Sequence, residues 1–161
     1  MFHWINHNSL YIITVLFPII LSIIFYNYFS KNKLIFLSVF LLLLVISITT
    51  KILIEPGNKT QSLEINSILS DEKPMVIEFF SPNCMGCAIS EKPFLDFQKS
   101  YSESFTSFQI NISDKNYSDL VRKYEITSTP TFVLIHQGKL IDKYVGLLTN
   151  KEKLYIRFKD K

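Results

Sequence analysis

Cysteine is scarce in this chain: of 161 residues only Cys84 and Cys87 carry a thiol. Three positions apart and with no other cysteine to pair with, they are either the working chemistry of the protein or an accident of composition. Acidic residues and arginine are missing altogether from residues 1–54, whose only charged side chains are Lys31, Lys33 and Lys51. Residues 55–161 hold 14 basic and 14 acidic residues, so the formal charge of +3 belongs to the N-terminal third. The remainder has no basic stripe of the kind a nucleic-acid partner requires. No histidine stands near the cysteines, so a zinc site would need ligands gathered from elsewhere in the chain. Repeats and low-complexity segments are also lacking. The matches to the glycosylation pattern at Asn58, Asn111 and Asn116 are read as chance in a chain so rich in Asn and Ser.

What the N-terminal third does have is apolar length. Residues 10–29 form a run of 20 without a charge, and about 20 helical residues cross a hydrocarbon core. After Ser30-Lys31-Asn32-Lys33 a second uncharged run extends from Leu34 to Thr50, and Lys51 can snorkel so that Ile52, Leu53 and Ile54 extend the span. Pro18 is tolerable in a membrane helix, and Trp4, Tyr11, Tyr26 and Tyr28 fall where interfacial rings prefer to lie. A cleaved signal peptide fits badly: the segment before Leu10 has no Lys or Arg, the apolar run is too long, and no small-residue cleavage site follows. The expectation is a two-helix transmembrane hairpin within residues 1–54, with helices at about 10–29 and 34–54. A hairpin places both ends of the segment on one side. Lys31 and Lys33 in the connection direct it to the cytoplasm, and so put the C-terminal domain on the extracytoplasmic side, periplasmic or lumenal.

Glu55-Pro56-Gly57-Asn58 opens a linker over 55–62, leaving a domain over 63–161 with enough chain for one small core. Leu63–Leu69 reads as a short amphipathic helix and Met75–Phe80 as a buried strand. A helix follows from Cys84 to about Tyr101, then a strand over Phe105–Ile112, a helix over Tyr117–Tyr124 and a strand over Thr131–His136. Gln137-Gly138 turns the chain into a strand over Lys139–Val145, and Asn150–Phe158 is a last helix. The order β-α-β-α-β-β-α predicts an α/β domain with a mixed sheet flanked by helices.

Several stretches carry a resemblance. The strand Val76-Ile77-Glu78-Phe79-Phe80 runs into Ser81-Pro82-Asn83-Cys84-Met85-Gly86-Cys87. Tyr124-Glu125-Ile126-Thr127-Ser128-Thr129-Pro130-Thr131-Phe132 follows, then Gln137-Gly138-Lys139 and Val145-Gly146. From about Met75 onward this resembles the thioredoxin family: its strand, loop and C-x-x-C, its stretch around a cis-proline, its hairpin turn and its strand-end glycine. The sequence departs from the family pattern at Asn83, usually Trp, and at Met85-Gly86, usually Gly-Pro. Glu78 stands where Asp is usual and Gln109 where a lysine is usual, Pro93 falls one residue late in the active-site helix, and the family's first strand is short or missing.

Cys84 at a helix start is the expected nucleophile, because unsatisfied N–H groups and the helix dipole favour a thiolate there. Cys87, one turn deeper, is the expected resolving thiol. Glu78, in a nearly all-apolar strand, is expected to be buried with a raised pKa and to accept the proton of Cys87. The resemblance implies a cis Pro130 that leaves the Thr129 backbone free to pair with substrate, with Ser128, Gly146, Met85 and Asn83 on the rim that partners touch. It implies no cofactor beyond a Cys84–Cys87 disulfide and no metal. The reading is a membrane-tethered thiol–disulfide oxidoreductase. The spacing from Cys87 to Pro130 has no room for the helical insertion of the strongly oxidising branch, which favours reduction of disulfide-bearing exported proteins, as in cytochrome c maturation. With no third cysteine the chain needs a separate transmembrane or thiol electron donor. The alternatives are a module that binds or delivers a soft ion such as copper with the same two thiols, and an assembly factor whose thiols are vestigial.

Overall fold

The computed structural model describes residues 2–29, 33–54 and 73–161. The linker over 55–62 and the helix expected over Leu63–Leu69 lie outside the described residues.

The N-terminal part is helical: α1 (Phe2–His7), α2 (Ser9–Phe29) and α3 (Lys33–Ile54). α1 lies ahead of the two runs for which the sequence predicts helices. α2 and α3 lie against each other, and the Ser47 hydroxyl donates to the Thr14 carbonyl across their contact at 2.5 Å. Among their described side chains only Leu10, Pro18 and Ser47 are buried, whereas large apolar ones such as Ile23, Ile24 and Leu53 point outward. Some side chains here, those of Tyr11, Phe25 and residues 27–29 among them, are outside the described set. Over the described residues alone, no helix is long and apolar enough to cross a membrane.

The rest is one sheet with helices on both faces. Its strands are β1 (Met75–Phe80), β2 (Thr106–Asn111), β3 (Thr131–His136) and β4 (Lys139–Val145), in the order β2-β1-β3-β4. β1 is parallel to β2 and antiparallel to β3, and β3 and β4 form an antiparallel hairpin. Every residue of β1 is buried, as an uninterrupted apolar run in a central strand requires. Gln137 and Gly138 close the hairpin with φ of +50° and +73°, the left-handed pair that matches the twist of two-residue hairpins.

Strand alternation divides the core in two. Met75, Ile77 and Phe79 of β1 join Ile110, Val133 and Ile135 on one face, under Tyr117, Leu120 and Tyr124. Those three come from a 3₁₀ turn (Lys115–Tyr117), from α5 (Ser118–Lys123) and from the residue that ends it. Val76 points to the other face, where Phe132 and Leu134 meet Phe94 and Phe97 of α4 (Met85–Ser100) and Leu154 and Phe158 of α6 (Glu152–Phe158). Phe94 and Phe97 are wholly buried.

At α5 and α6 the helix starts later than the sequence predicts, beside a loop side chain that accepts a main-chain N–H. The Asp114 carboxylate accepts the Asn116 N–H at 3.0 Å and starts a 3₁₀ turn ahead of α5. The Asn150 carboxamide accepts the Lys153 N–H at 3.0 Å, which holds Asn150 outside α6.

Candidate active site

The C-terminal end of β1 passes through Ser81-Pro82-Asn83 into α4, and Cys84 is the residue at the turn. Its φ and ψ of −98° and 115° are extended, so Cys84 caps α4 rather than joining it. Its Sγ takes the place of a capping oxygen and accepts the Cys87 N–H at 3.2 Å, satisfying one of the donors that a helix start leaves unpaired. Both thiols are free and buried, Cys84 at 0 % and Cys87 at 1 % exposure, and Phe80 packs with them.

The two sulfurs are driven apart in acidity. Cys84 is lowered from 9.0 to about 6, first by the Cys87 thiol, then by the Thr129 side chain and the Cys87 and Gly86 N–H groups, against an opposing effect of burial. Cys87 is pushed up by burial and then by its role as donor to the Cys84 sulfur. Near neutral pH the pair therefore holds one proton, on Cys87, and the negative charge is on Cys84. As a thiol, Cys84 donates to the Thr129 carbonyl at 3.4 Å. Ionisation removes that donor and leaves the sulfur as an acceptor only. The Thr129 hydroxyl is buried and, among the described residues, has no hydrogen-bonded partner while Cys84 is a thiol; its lowering effect is exerted on the ionised sulfur.

The Thr129–Pro130 peptide is cis. The Pro130 ring lies against α4, and a Cβ on Gly86 would come within 3.1 Å of Pro130 Cδ, a tight contact that glycine relieves. The Pro130 carbonyl accepts the Gly146 N–H at 3.0 Å, and Gly146 has a φ of +123° that a side chain would disfavour. Thr131 Oγ1 donates to the Ser128 carbonyl at 2.7 Å, holding the chain just before the cis bond. Thr129 and Pro130 are buried, while Asn83, Met85, Ser128 and Gly146 are half-buried.

Glu78 shares the α4-facing side of β1 with Val76 and Phe80, by strand alternation. It lies in register with Gln109 on one side and Phe132 on the other. Gln109 Nε2 donates to Glu78 Oε2 at 2.7 Å, whereas Oε1 is buried without a hydrogen-bond partner among the described residues. Burial raises the carboxyl from 4.5 to about 8, with smaller additions from the charges of Glu91 and Cys84, against the lowering effect of Gln109. Near neutral pH the group is mostly protonated and close enough to its pKa to exchange that proton.

Sequence reasoning missed one set of residues here. At the α1–α2 junction Asn6 Nδ2 donates to the Thr129 carbonyl at 2.7 Å, and the Leu10 N–H donates to the Asn83 carbonyl at 2.9 Å. Ser9 Oγ accepts the Met85 N–H at 3.0 Å, and the Ser81 hydroxyl donates to the His7 carbonyl at 3.0 Å. Leu10 is 1 % exposed. The available signal was the polar run Asn6-His7-Asn8-Ser9 directly ahead of an apolar helix, a helix-start pattern whose partner no local rule identifies.

Among the described residues no group of three or more His, Cys, Asp or Glu side chains is placed to hold a metal ion. The thioredoxin family model matches residues 58–159. The chain belongs to the thioredoxin family. It is 27% identical over 93 residues to the thioredoxin of Mycoplasmoides gallisepticum, covering 58% of this chain and 90% of that one. It is 26% identical over 99 residues to Thioredoxin-T of Drosophila melanogaster, where it covers 62% of each. Among solved structures, mitochondrial thioredoxin 3 of Saccharomyces cerevisiae in its oxidised form superposes with a TM-score of 0.51 at 26% identity, over 60% of this chain and 85% of that one. Thioredoxin of Trypanosoma brucei brucei superposes with a TM-score of 0.53 at 20% identity, over 63% and 85%, and shares the fold. The thioredoxin domain thus carries, in Cys84 and Cys87, the dithiol pair of a thiol–disulfide oxidoreductase.

Proposed function

We propose that the chain is a membrane-tethered thioredoxin that reduces disulfides of partner proteins on the extracytoplasmic side. The observation that carries the redox reading is the asymmetric thiol pair: a Cys84 sulfur held as a helix cap and lowered to about 6, beside a Cys87 thiol kept protonated. The Cys84 thiolate attacks one sulfur of the partner's disulfide. The S–S bond breaks, the departing sulfur takes a proton, and a mixed disulfide joins Cys84 to the partner. Cys87 then gives up its proton and attacks Cys84 Sγ, which releases the partner's second sulfur as a thiol and leaves Cys84–Cys87 oxidised. Two electrons have passed to the partner, which has also gained two protons, one from solvent at the first step and the equivalent of the Cys87 proton at the second. Glu78 on the α4-facing side of β1 is the group we assign to accept the Cys87 proton, once ionised near its pKa of about 8. The partner's chain would pair with main-chain groups at Thr129, beside the cis Pro130, with Asn83, Met85, Ser128 and Gly146 around it. A separate transmembrane or thiol donor returns the disulfide to the dithiol.

Tethering and sidedness rest on the sequence: two uncharged runs of membrane-spanning length and the lysines Lys31 and Lys33 between them. The outward-facing apolar side chains of α2 and α3 support the same reading. Reduction of insulin by the detergent-solubilised full chain tests the chemistry. Wild type reduces it, Cys84→Ser does not, and Cys87→Ser accumulates the mixed disulfide. Equal inactivity of wild type and Cys84→Ser would sink the redox reading. Carbonate extraction and protease protection of the expressed chain test the tether and its side.

A further inference from the structure

A thiolate that attacks a protein disulfide must be reached by it, yet the Cys84 residue is 0 % exposed. The cover comes from this chain. Residues 6–10, at the junction of α1 and α2, engage main-chain groups on both sides of the sulfur: the Asn83 carbonyl and the Met85 N–H before and after Cys84, and the Thr129 carbonyl that precedes Pro130. The Ser81 hydroxyl adds a fourth contact, to the His7 carbonyl. Two of these contacts give an acceptor to N–H groups that helix starts leave unpaired. The Leu10 N–H belongs to the first turn of α2 and the Met85 N–H to the first turn of α4, so two helix starts meet and each supplies what the other lacks. Leu10 closes the contact as the one wholly buried large apolar residue among the described side chains of α2 and α3.

We infer that residues 6–10 are a built-in occupant of the substrate groove, and that a partner disulfide reaches Cys84 only after this turn is displaced. The inference rests on the dithiol-exchange reading for its purpose, although not for its geometry. The turn holds main-chain groups of the groove through the Leu10 N–H, the Asn6 and Ser9 side chains and the Leu10 anchor, so the partner that displaces it is a polypeptide able to pair with the same Thr129, Asn83 and Met85 groups. A small thiol reagent, which cannot make those bonds, has to wait for spontaneous opening.

The full chain in detergent micelles provides the test, with alkylation of Cys84 by a maleimide followed by site-resolved mass spectrometry. Asn6→Ala combined with Ser9→Ala removes two of these contacts, and the opening equilibrium and alkylation rate should rise roughly tenfold. Hydrogen exchange at the Met85 amide should accelerate with it. Leu10→Ala, which keeps every hydrogen bond but empties the buried anchor, should raise the rate in the same direction by at least as much, and in both variants the KM for insulin reduction should fall. An unchanged or slower alkylation of Cys84 in both variants overturns the inference, and normal insulin turnover in that case leaves the oxidoreductase reading intact. Accelerated alkylation without insulin reduction in any form upholds the cover and removes the oxidoreductase reading instead.

Discussion

Replacing Glu78 with Gln isolates what a buried titrating carboxyl does to this fold. The carboxyl has an ordinary pKa of 4.5 in the unfolded chain and one of about 8 in the folded domain, with burial the main cause. Below the unfolded value both states hold the proton and pH has no effect through this group. As pH rises past it, the unfolded chain releases the proton while the folded domain keeps it, so unfolding is favoured progressively. Above the folded value both are ionised and the dependence levels off. At about 1.4 kcal/mol per pKa unit, the wild type loses up to roughly 5 kcal/mol of stability across that window. Glu78→Gln preserves the shape and the acceptor for Gln109 Nε2 and removes the titration. Urea titration of the full chain in micelles, read by pulse proteolysis from about pH 5 to about pH 9, measures the difference. The variant should match the wild type at the acid end and exceed it increasingly toward the alkaline end, by a molar or more in midpoint at typical urea slopes of about 1–3 kcal/mol per molar. A difference that is flat with pH would refute the reasoning, because then Glu78 releases its proton at the same pH in the folded domain as in the unfolded chain.

Two further outcomes follow from the site. The rate of Cys84 alkylation in the full chain should rise with pH around a midpoint of about 6, and Cys87→Ala should move that midpoint upward, since the Cys87 thiol is the largest single cause of the lowering; an unmoved midpoint would leave the helix start and Thr129 as the effective donors. Gly86→Ala places a methyl 3.1 Å from Pro130 Cδ. Overpacking of that kind costs about 1–3 kcal/mol, so insulin reduction and urea midpoint should both fall, and retention of both would mean that α4 and the Pro130 ring can separate freely.

The parts of the fold that were legible are those decided by local pattern. Met75–Phe80 reads as a central strand because six residues in a row suit burial on both faces, and the structure buries all six. The Gln137-Gly138 turn is legible because only a two-residue hairpin with positive φ fits two strands that close together. Glu78 stood out because an ionisable residue inside such a strand has nowhere wet to go. Capping decisions were less visible: Asp114 and Asn150 move helix boundaries through single hydrogen bonds that any loop Asp or Asn is able to make. The α1–α2 junction was not legible at all. It joins residues more than 70 positions apart, and three of its four contacts end on main-chain groups of residues 83, 85 and 129, which carry no signature of side-chain type.

Access to Cys84 and activation of Cys84 come from different parts of the chain. The groups that lower its pKa are the Cys87 thiol, the Thr129 side chain and the Cys87 and Gly86 N–H groups. All belong to the thioredoxin domain, and none is contributed by residues 6–10. The turn contributes cover, and cover opposes ionisation, because a sulfur out of water is harder to charge. Displacing the turn therefore removes a part of the opposing effect and none of the favourable ones, so the opened site is at least as ionised as the closed one. A partner that takes over the Asn83, Met85 and Thr129 main-chain groups meets a nucleophile that is already a thiolate near neutral pH. The barrier it has to overcome at that stage is displacement of the turn rather than loss of a proton.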